Sequence, residues 1–510
     1  MVQSASETMP QSSSCIGILD FLRGKNYFIT GATGFVAKVL IEKILRAVPK
    51  VGRIYLLIKE KDKDAAVERL KNEVIGEELF KCLKQIHGKS YEAFMMSKLV
   101  PLSGNLCEYN LGMDSDTATE IARHVHVIVN SAANTTLDER YDVALNVNTQ
   151  GPAWLLEFAK KCKNLKLFLH VSSAYVNGER EGIILERPFH LGQSIAEERI
   201  PPTSVPWLDV SAEIKLASDM MESLGDDNEG AQKMRDLGRE RARIYGWQNT
   251  YVFTKAMGEM LINSKRENLP IVIIRPSIIE STYSEPFPGW IQENRVTDPV
   301  FISYGKGQLP GFVGNPKTVL DIIPVDMVVN AIIAAVAKHG TVGKAQLRVY
   351  HVTSSVSNPI SFGQVFDFAC DHFTSFPLLN SKGKIKEFKY FSSMDSFSSY
   401  IRDETEQQIG LNGDLSTLDP KLRLQMRTEC ANRLQRFARM AELYEPYAFY
   451  KGWFDCSNIK ELIQNMSTQE KKLFRFDVES INWKHYIKNV HLPGLRRHVM
   501  KEKLVAVARL

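Results

Sequence analysis

The chain of 510 residues has only seven cysteines, Cys15, Cys82, Cys107, Cys162, Cys370, Cys430 and Cys456, and no two of them form a C-x-x-C pair. Their odd number and scatter argue against a disulfide framework or zinc site and for a reducing compartment; no metal is expected. Long apolar runs are also missing. The best candidate, "MVVNAIIAAVA" at 327–337, carries Asn330 and falls short of the ~18 apolar residues of a membrane span. It predicts a buried helix. The N-terminus, "MVQSASETMPQSSSC", lacks the apolar stretch of a secretory signal, and residues 1–15 are expected to be a disordered tail. Charge of one sign is scarce too: a net +5 on this length is too weak to argue for nucleic acid.

What is present is an ordinary globular composition, 44% hydrophobic and 24% charged, on a chain long enough for two or three domains. An apolar stretch at 25–29 ("KNYFI") precedes the glycines of "TGATG", the helical pattern "FVAKVLIEKILRAV" and a second strand, "RIYLLI", at 53–58. This is a βαβ unit. Further β-branched runs, "VHVIVN" at 125–130, "KLFLHVSS" at 166–173 and "IVIIRPSII" at 271–279, alternate with helical stretches at 137–162 and 251–265. Near-continuous apolar strands of this kind are buried on both faces. The expected fold is α/β: a doubly wound parallel Rossmann sheet over 16–355, with an insertion at about 180–245, followed by a mainly helical C-terminal domain over 356–510. In that second part "NSKGKIKEF" reads as a linker. A helix at 421–444 places Met426, Cys430, Leu434, Phe437, Ala441 and Tyr444 on one stripe, with Arg423, Arg427, Arg433, Arg436 and Arg439 elsewhere. Two readings stand: a helix packed on the domain with a solvated basic face, or contact with an anionic membrane surface.

In "TGATG", Gly31 permits a tight turn, Gly34 lets backbone approach a pyrophosphate, and Ala37 is small enough for the helix to pack on its strand. The helix N-terminus then offers N–H groups to phosphates. An acid at the end of the second strand would select NAD. This chain has Lys59 there, followed by Lys61 and Lys63, which favours the 2′-phosphate of NADP. The alternative, a solvated charge run, rests on the interleaved Glu60, Asp62 and Asp64.

A tyrosine four residues before a lysine occurs three times, at Tyr55/Lys59, Tyr251/Lys255 and Tyr447/Lys451. The first pair lies on a strand, where four residues span ~13 Å. The third has no nucleotide motif near it and reads as structural. Tyr251 and Lys255, in "YVFTKAMGE", begin a helix, so they share a face. They follow "HVSSAYVNG", which puts Ser172 and Ser173 at the C-terminal end of a buried strand, where open α/β sheets bind ligands. Hydride addition to a carbonyl leaves an alkoxide that needs a proton. Tyrosine can donate it if a nearby cation lowers its pKa, and a serine hydroxyl can hold the carbonyl oxygen.

Together, "TGATGFVAK", "HVSSAYV" and "YVFTKAMGE" resemble the extended short-chain dehydrogenases. With "RPSII", "EPFPGW", "YGKG" and "DIIPVDMVVNA", and with "LYEPYAFYKGWFD" and "FRFDVESINWKHYI" near the C-terminus, the chain from about residue 16 resembles the plant-type, alcohol-forming fatty acyl-CoA reductases with their male-sterility-type C-terminal domain. The resemblance implies NADPH-dependent reduction of a long- or very-long-chain acyl-CoA, through an aldehyde, to a primary alcohol with release of CoA. It implies Ser173, Tyr251 and Lys255 as catalytic residues. It implies cofactor contacts at Thr30, Gly31, Thr33, Gly34, Phe35, Lys59, Asn130, Asn148, Tyr251, Lys255, Pro276 and Ser277, and a lid or acyl channel in the insertion. It also implies a cytosol-facing protein at the endoplasmic reticulum, with at most peripheral membrane contact and no transmembrane segment. Relatives commonly have arginine where Lys59 stands, aspartate where Asn105 stands and threonine where Ser173 stands; the segment 395–420 is more polar here than expected of them. A reductase that stops at the aldehyde or acts on another carbonyl, and a nucleotide-sensing scaffold, are the competing readings.

Overall fold

The computed structural model describes residues 15–199, 201–225, 227–378, 385–413 and 418–502. The expected N-terminal tail, apart from Cys15, and part of the expected linker lie outside the described residues. Seven parallel strands form the central sheet: β1 Tyr27–Thr30, β2 Ile54–Ile58, β3 Leu99–Ser103, β4 Val127–Asn130, β5 Leu167–Val171, β6 Ile271–Pro276 and β7 Leu347–Val352. Their order across the sheet is β7-β6-β5-β4-β1-β2-β3, so the chain reverses direction of growth between β1 and β4. That is the doubly wound order, and its switch point lies where β1 and β4 pair in register from Tyr27↔Val127 to Thr30↔Asn130. β1, β2, β4 and β6 are buried along their whole length, as helices on both faces require.

The helices that matter for the site are α1 Phe35–Ala47, α2 Val210–Leu224, α3 Asn228–Tyr245, α4 Thr250–Lys265, α5 Val325–Val342, α6 Met394–Ile409 and α7 Pro420–Ala448. Among the described residues α5 alone is long and apolar enough to cross a membrane, yet 78% of it is buried inside the fold, where it packs on α1. Its one amide, Asn330, donates to the carbonyl of Arg475 at 2.9 Å.

The insertion is folded around a buried acid. Glu213 of α2 accepts from the Tyr141 hydroxyl at 2.7 Å and from the Arg241 guanidinium of α3. The C-terminal region is stitched to the sheet domain by two short parallel strand pairs, Gly452–Phe454 with Gly182–Ile184 and Lys389–Phe391 with Gly311–Val313. One sequence expectation needs correcting here. Arg433, expected on the basic side of α7 that either faces solvent or meets a membrane, is buried against α6, where it meets Gln408 at 3.1 Å and its own neighbour Glu429 at 2.8 Å. The stripe of α7 holds at Cys430, Phe437 and Ala441, which are buried.

Candidate active site

The glycine turn is built for close approach. Gly31 sits at φ +69°, and a Cβ there would lie 2.8 Å from the Ala132 backbone. Gly34 caps α1 with no side chain of its own, leaving the first N–H groups of that helix facing outward with its positive dipole end. Ala37 is fully buried against the strand. A cleft of ≈320 Å³ opens over this turn and includes Gly31, Thr33, Gly34, Lys59 and Arg69 in its wall. The guanidinium of Arg69, from the helix after β2, lies 3.2 Å from the Lys59 carbonyl and 3.5 Å from the Thr33 hydroxyl. These features fit a dinucleotide: a turn where a Cβ has no room, a helix N-terminus for the pyrophosphate, and two cations where the adenosine ribose ends.

Several implied cofactor residues are spent on the protein itself. Thr30 Oγ1 accepts from the backbone N–H of Ser131 (3.2 Å) and Ala132 (3.1 Å) and donates to Asn130 Oδ1 at 2.7 Å. Asn148 is saturated: it bonds both backbone groups of Asn134 and the Thr254 hydroxyl, tying the loop after β4 to α4. The Phe35 ring stacks on Trp290 at 5.5 Å, with the Arg295 guanidinium 4.1 Å from its centroid, so its side chain is engaged by the protein and its backbone belongs to the turn. Pro276 ends β6, and Ser277 donates its N–H to Val352 at 3.2 Å. Asn105 is engaged with Glu108 and the Cys107 N–H.

Helix α4 brings in the tyrosine and lysine. Asn249 caps it, accepting from Val252 N–H, and a fully buried ion pair between Glu259 and Arg275 (2.6 and 2.9 Å) fixes it to β6. Lys255 Nζ lies 2.8 Å from the Val171 carbonyl at the end of β5 and 3.3 Å from His170 Nε2. Burial lowers its pKa to about 8, partly offset by Glu259. Tyr251 departs from the sequence expectation of a depressed phenol: burial pushes it up to about 12, and Lys255 points to the strand instead. Ser173 caps the turn Ala174–Asn177, accepting from Tyr175 N–H at 3.2 Å. Its neighbour Ser172 is buried with a hydroxyl that has no partner among the described residues.

Three residues of the site were not singled out by sequence reasoning. Arg69 and His170 carry no motif of their own. Tyr447 reads as structural in the sequence, where no nucleotide motif lies near it; α7 ends at Ala448, and Lys451 pairs with Glu181. Yet the Tyr447 hydroxyl accepts from Asn249 Nδ2 at 2.7 Å, at the very start of α4, and Tyr251 lies close enough to raise its pKa further. The C-terminal region thus reaches the active helix.

The profile of the Male sterility protein family matches residues 29–332, and a second profile of the same description matches 417–502. "Fatty acyl-CoA reductase 2, chloroplastic" of Arabidopsis thaliana is 53% identical over 492 residues, covering 95% of this chain and 80% of that protein. The chain belongs to the fatty acyl-CoA reductases of the male sterility family. The "Alcohol-forming fatty acyl-CoA reductase" of Simmondsia chinensis is 38% identical across 95% of this chain and 99% of its own length. Among solved structures, the terminal R domain of the myxalamid PKS-NRPS pathway aligns with a TM-score of 0.59 at 14% identity, covering 93% of this chain and 91% of that one. The reductase domain of a non-ribosomal peptide synthetase from Mycobacterium tuberculosis gives 0.54 at 17%, covering 94% of each. Those two likenesses concern the fold. Membership of the family makes this chain an oxidoreductase with a nicotinamide cofactor, and places Gly31–Phe35 and Tyr251–Lys255 within the NAD-binding profile.

Proposed function

We propose that this protein reduces a long-chain acyl-CoA thioester to a primary alcohol with NADPH. The observation that carries the reading is convergence: Lys255 and Tyr251 on α4, Ser172 and Ser173 after β5, and the glycine turn after β1 all meet at the C-terminal edge of one parallel sheet. The preference for NADPH rests on Lys59 and Arg69, two cations on the cleft where an acid would otherwise select the ribose hydroxyl.

The bound nicotinamide supplies hydride. The protein's part is orientation and proton supply. A serine hydroxyl after β5 donates to the carbonyl oxygen as it gains charge: Ser173 accepts from Tyr175 N–H and keeps its own hydrogen to give, and Ser172 has no partner among the described residues. In the thioester step, the carbon–sulfur bond breaks, CoA leaves as the thiol and an aldehyde remains. In the second step, Tyr251 gives its proton to the alkoxide oxygen and the primary alcohol forms. Two hydrides and two protons are consumed in all. A cavity of ≈1280 Å³ lies between the start of the insertion and the end of α7, large enough for a chain far longer than a sugar, although Ser172, Ser173, Tyr251 and Lys255 are not in its wall. Its wall combines Phe189 and Ile183 with Arg187 and with two ion pairs, Arg180–Glu198 and Arg199–Glu179.

Peripheral membrane contact is proposed at the first turns of α7, where Leu422 and Leu424 are exposed beside Lys421 and Arg427. Cosedimentation with anionic vesicles, lost in a Leu422→Ser/Leu424→Ser variant, tests it; unchanged binding refutes it. For the activity, purified protein is incubated with NADPH and long- and very-long-chain acyl-CoAs from palmitoyl-CoA upward, and products are separated by chromatography. Alcohol supports the reading. Accumulated aldehyde restricts it to one step, and nucleotide binding without turnover refutes it.

A further inference from the structure

Four buried side chains form one hydrogen-bonded line beneath the cleft. It crosses from the glycine turn to the lysine: Thr30 Oγ1 to Asn130 Oδ1 at 2.7 Å, Asn130 Nδ2 to His170 Nδ1 at 3.0 Å, and His170 Nε2 to Lys255 Nζ at 3.3 Å. All four are at most 1% exposed. The first member sets the direction. Thr30 Oγ1 already accepts two backbone N–H groups, so its own hydrogen must go to an acceptor, Asn130 Oδ1. Asn130 therefore turns its NH₂ to His170 Nδ1, which must accept. A neutral imidazole that accepts at Nδ1 carries its proton on Nε2. That proton faces Lys255 Nζ, whose other close partner, the Val171 carbonyl, accepts.

We propose that His170 is a positioning residue for the reaction, one that donates its Nε2–H to the free amine of Lys255 and so stabilises the lysine after it has given up a proton. The sequence of transfers balances. Tyr251 loses its proton as the product O–H forms. Because Lys255 points to the strand and not to the phenol, a water in the cleft carries its proton from the ammonium to the tyrosinate, and the lysine becomes the amine, which His170 then holds. Solvent restores the ammonium before the next turnover. The surroundings favour this arrangement: burial first, and then Lys255 and Arg275, press His170 toward its neutral form. Arg275 is itself paired with Glu259 and lies 3.3 Å from His351 Nε2, while Glu259 is the one acid that acts on Lys255. Tyr251 completes the ionisable set. The line also ties the glycine turn to the lysine, since moving Thr30 moves the donor that begins it.

This role rests on the assignment of Tyr251 and Lys255 above, but its first test does not need turnover. NMR of protein labelled in the histidine ring nitrogens, with His170→Gln identifying the signal, reads the tautomer directly. The Nε2–H form is expected, and an Nδ1–H or protonated ring near neutral pH overturns the proposal. The second test is the pH profile of kcat/KM with NADPH and palmitoyl-CoA. His170→Leu removes the donor to the amine, so the alkaline limb moves upward by roughly half to one pH unit. His170→Gln, which can offer an N–H at the same depth, restores the limb. A limb that stays in place in His170→Leu overturns the role. Turnover retained at the wild-type rate in Tyr251→Phe would instead sink the proton-donor assignment and leave the tautomer result standing.

Discussion

Lys255 Nζ and the carbonyl oxygen of Val171 are 2.8 Å apart, in a site where the lysine is 1% exposed. The lysine of the active helix is therefore anchored to the end of the strand that carries the serines. Geometry here is set by the sheet, and charge by burial: the same enclosure lowers Lys255 to about 8 and raises Tyr251 to about 12.

The first prediction concerns pH. With Lys255 active as the ammonium, and its pKa brought down to about 8 by burial, kcat/KM falls as pH rises through that value. A neutral phenol at Tyr251 persists throughout that range, so a single alkaline limb near 8 is expected in the pH profile. A flat profile to pH 10 contradicts the assignment of Lys255.

Cofactor choice should follow the two cations on the cleft. Lys59→Ala combined with Arg69→Ala is expected to raise KM for NADPH by roughly ten- to a hundredfold, the loss of one or two charge-assisted phosphate bonds. KM for NADH should change little. Steady-state kinetics with both nucleotides checks this; equal losses for the two would show that the cations do not read the 2′-phosphate.

Gly31→Ala places a Cβ 2.8 Å from the Ala132 backbone at a φ of +69°. Either strain alone costs about 1–2 kcal/mol. Nucleotide binding, measured by fluorescence quenching, should be lost, with a lower Tm. Wild-type binding would mean that the turn does not hold the phosphates.

Arg275→Leu leaves Glu259 as an unpaired carboxylate at 0% exposure between α4 and β6. Breaking such a pair from one side costs about 3–5 kcal/mol. Denaturant unfolding is the check. The double replacement Arg275→Leu/Glu259→Met should recover most of the loss, because it removes both charges.

Much of this fold is legible in the sequence because the buried strands are continuous apolar runs. β1, β2, β4, β5 and β6 announce themselves that way. β3 does not: "LVPLS" carries Pro101, which a central strand would not tolerate but an edge strand does, and β3 is the edge. β7, "LRVYHV", lies on the opposite edge and breaks its apolar run with Arg348 and His351. The nucleotide turn and the Tyr251–Lys255 pair are legible because each lies within a few residues of sequence. His170, Arg69 and Tyr447 are not, since each matters only through a partner 36 to 198 positions away: Lys255, Thr33 and Asn249. The same limit explains Arg433, whose burial against α6 no pattern within α7 could reveal.

The central claim is that Tyr251 supplies the proton in a two-step reduction of an acyl-CoA. The most direct measurement is the product distribution of wild type and Tyr251→Phe with NADPH and palmitoyl-CoA, with thiol release and cofactor oxidation followed together. Wild type is expected to form the primary alcohol with two cofactors oxidised per thiol. Tyr251→Phe should bind NADPH normally and lose product formation by roughly a hundredfold or more. Alcohol formed at the wild-type rate by Tyr251→Phe would contradict the account.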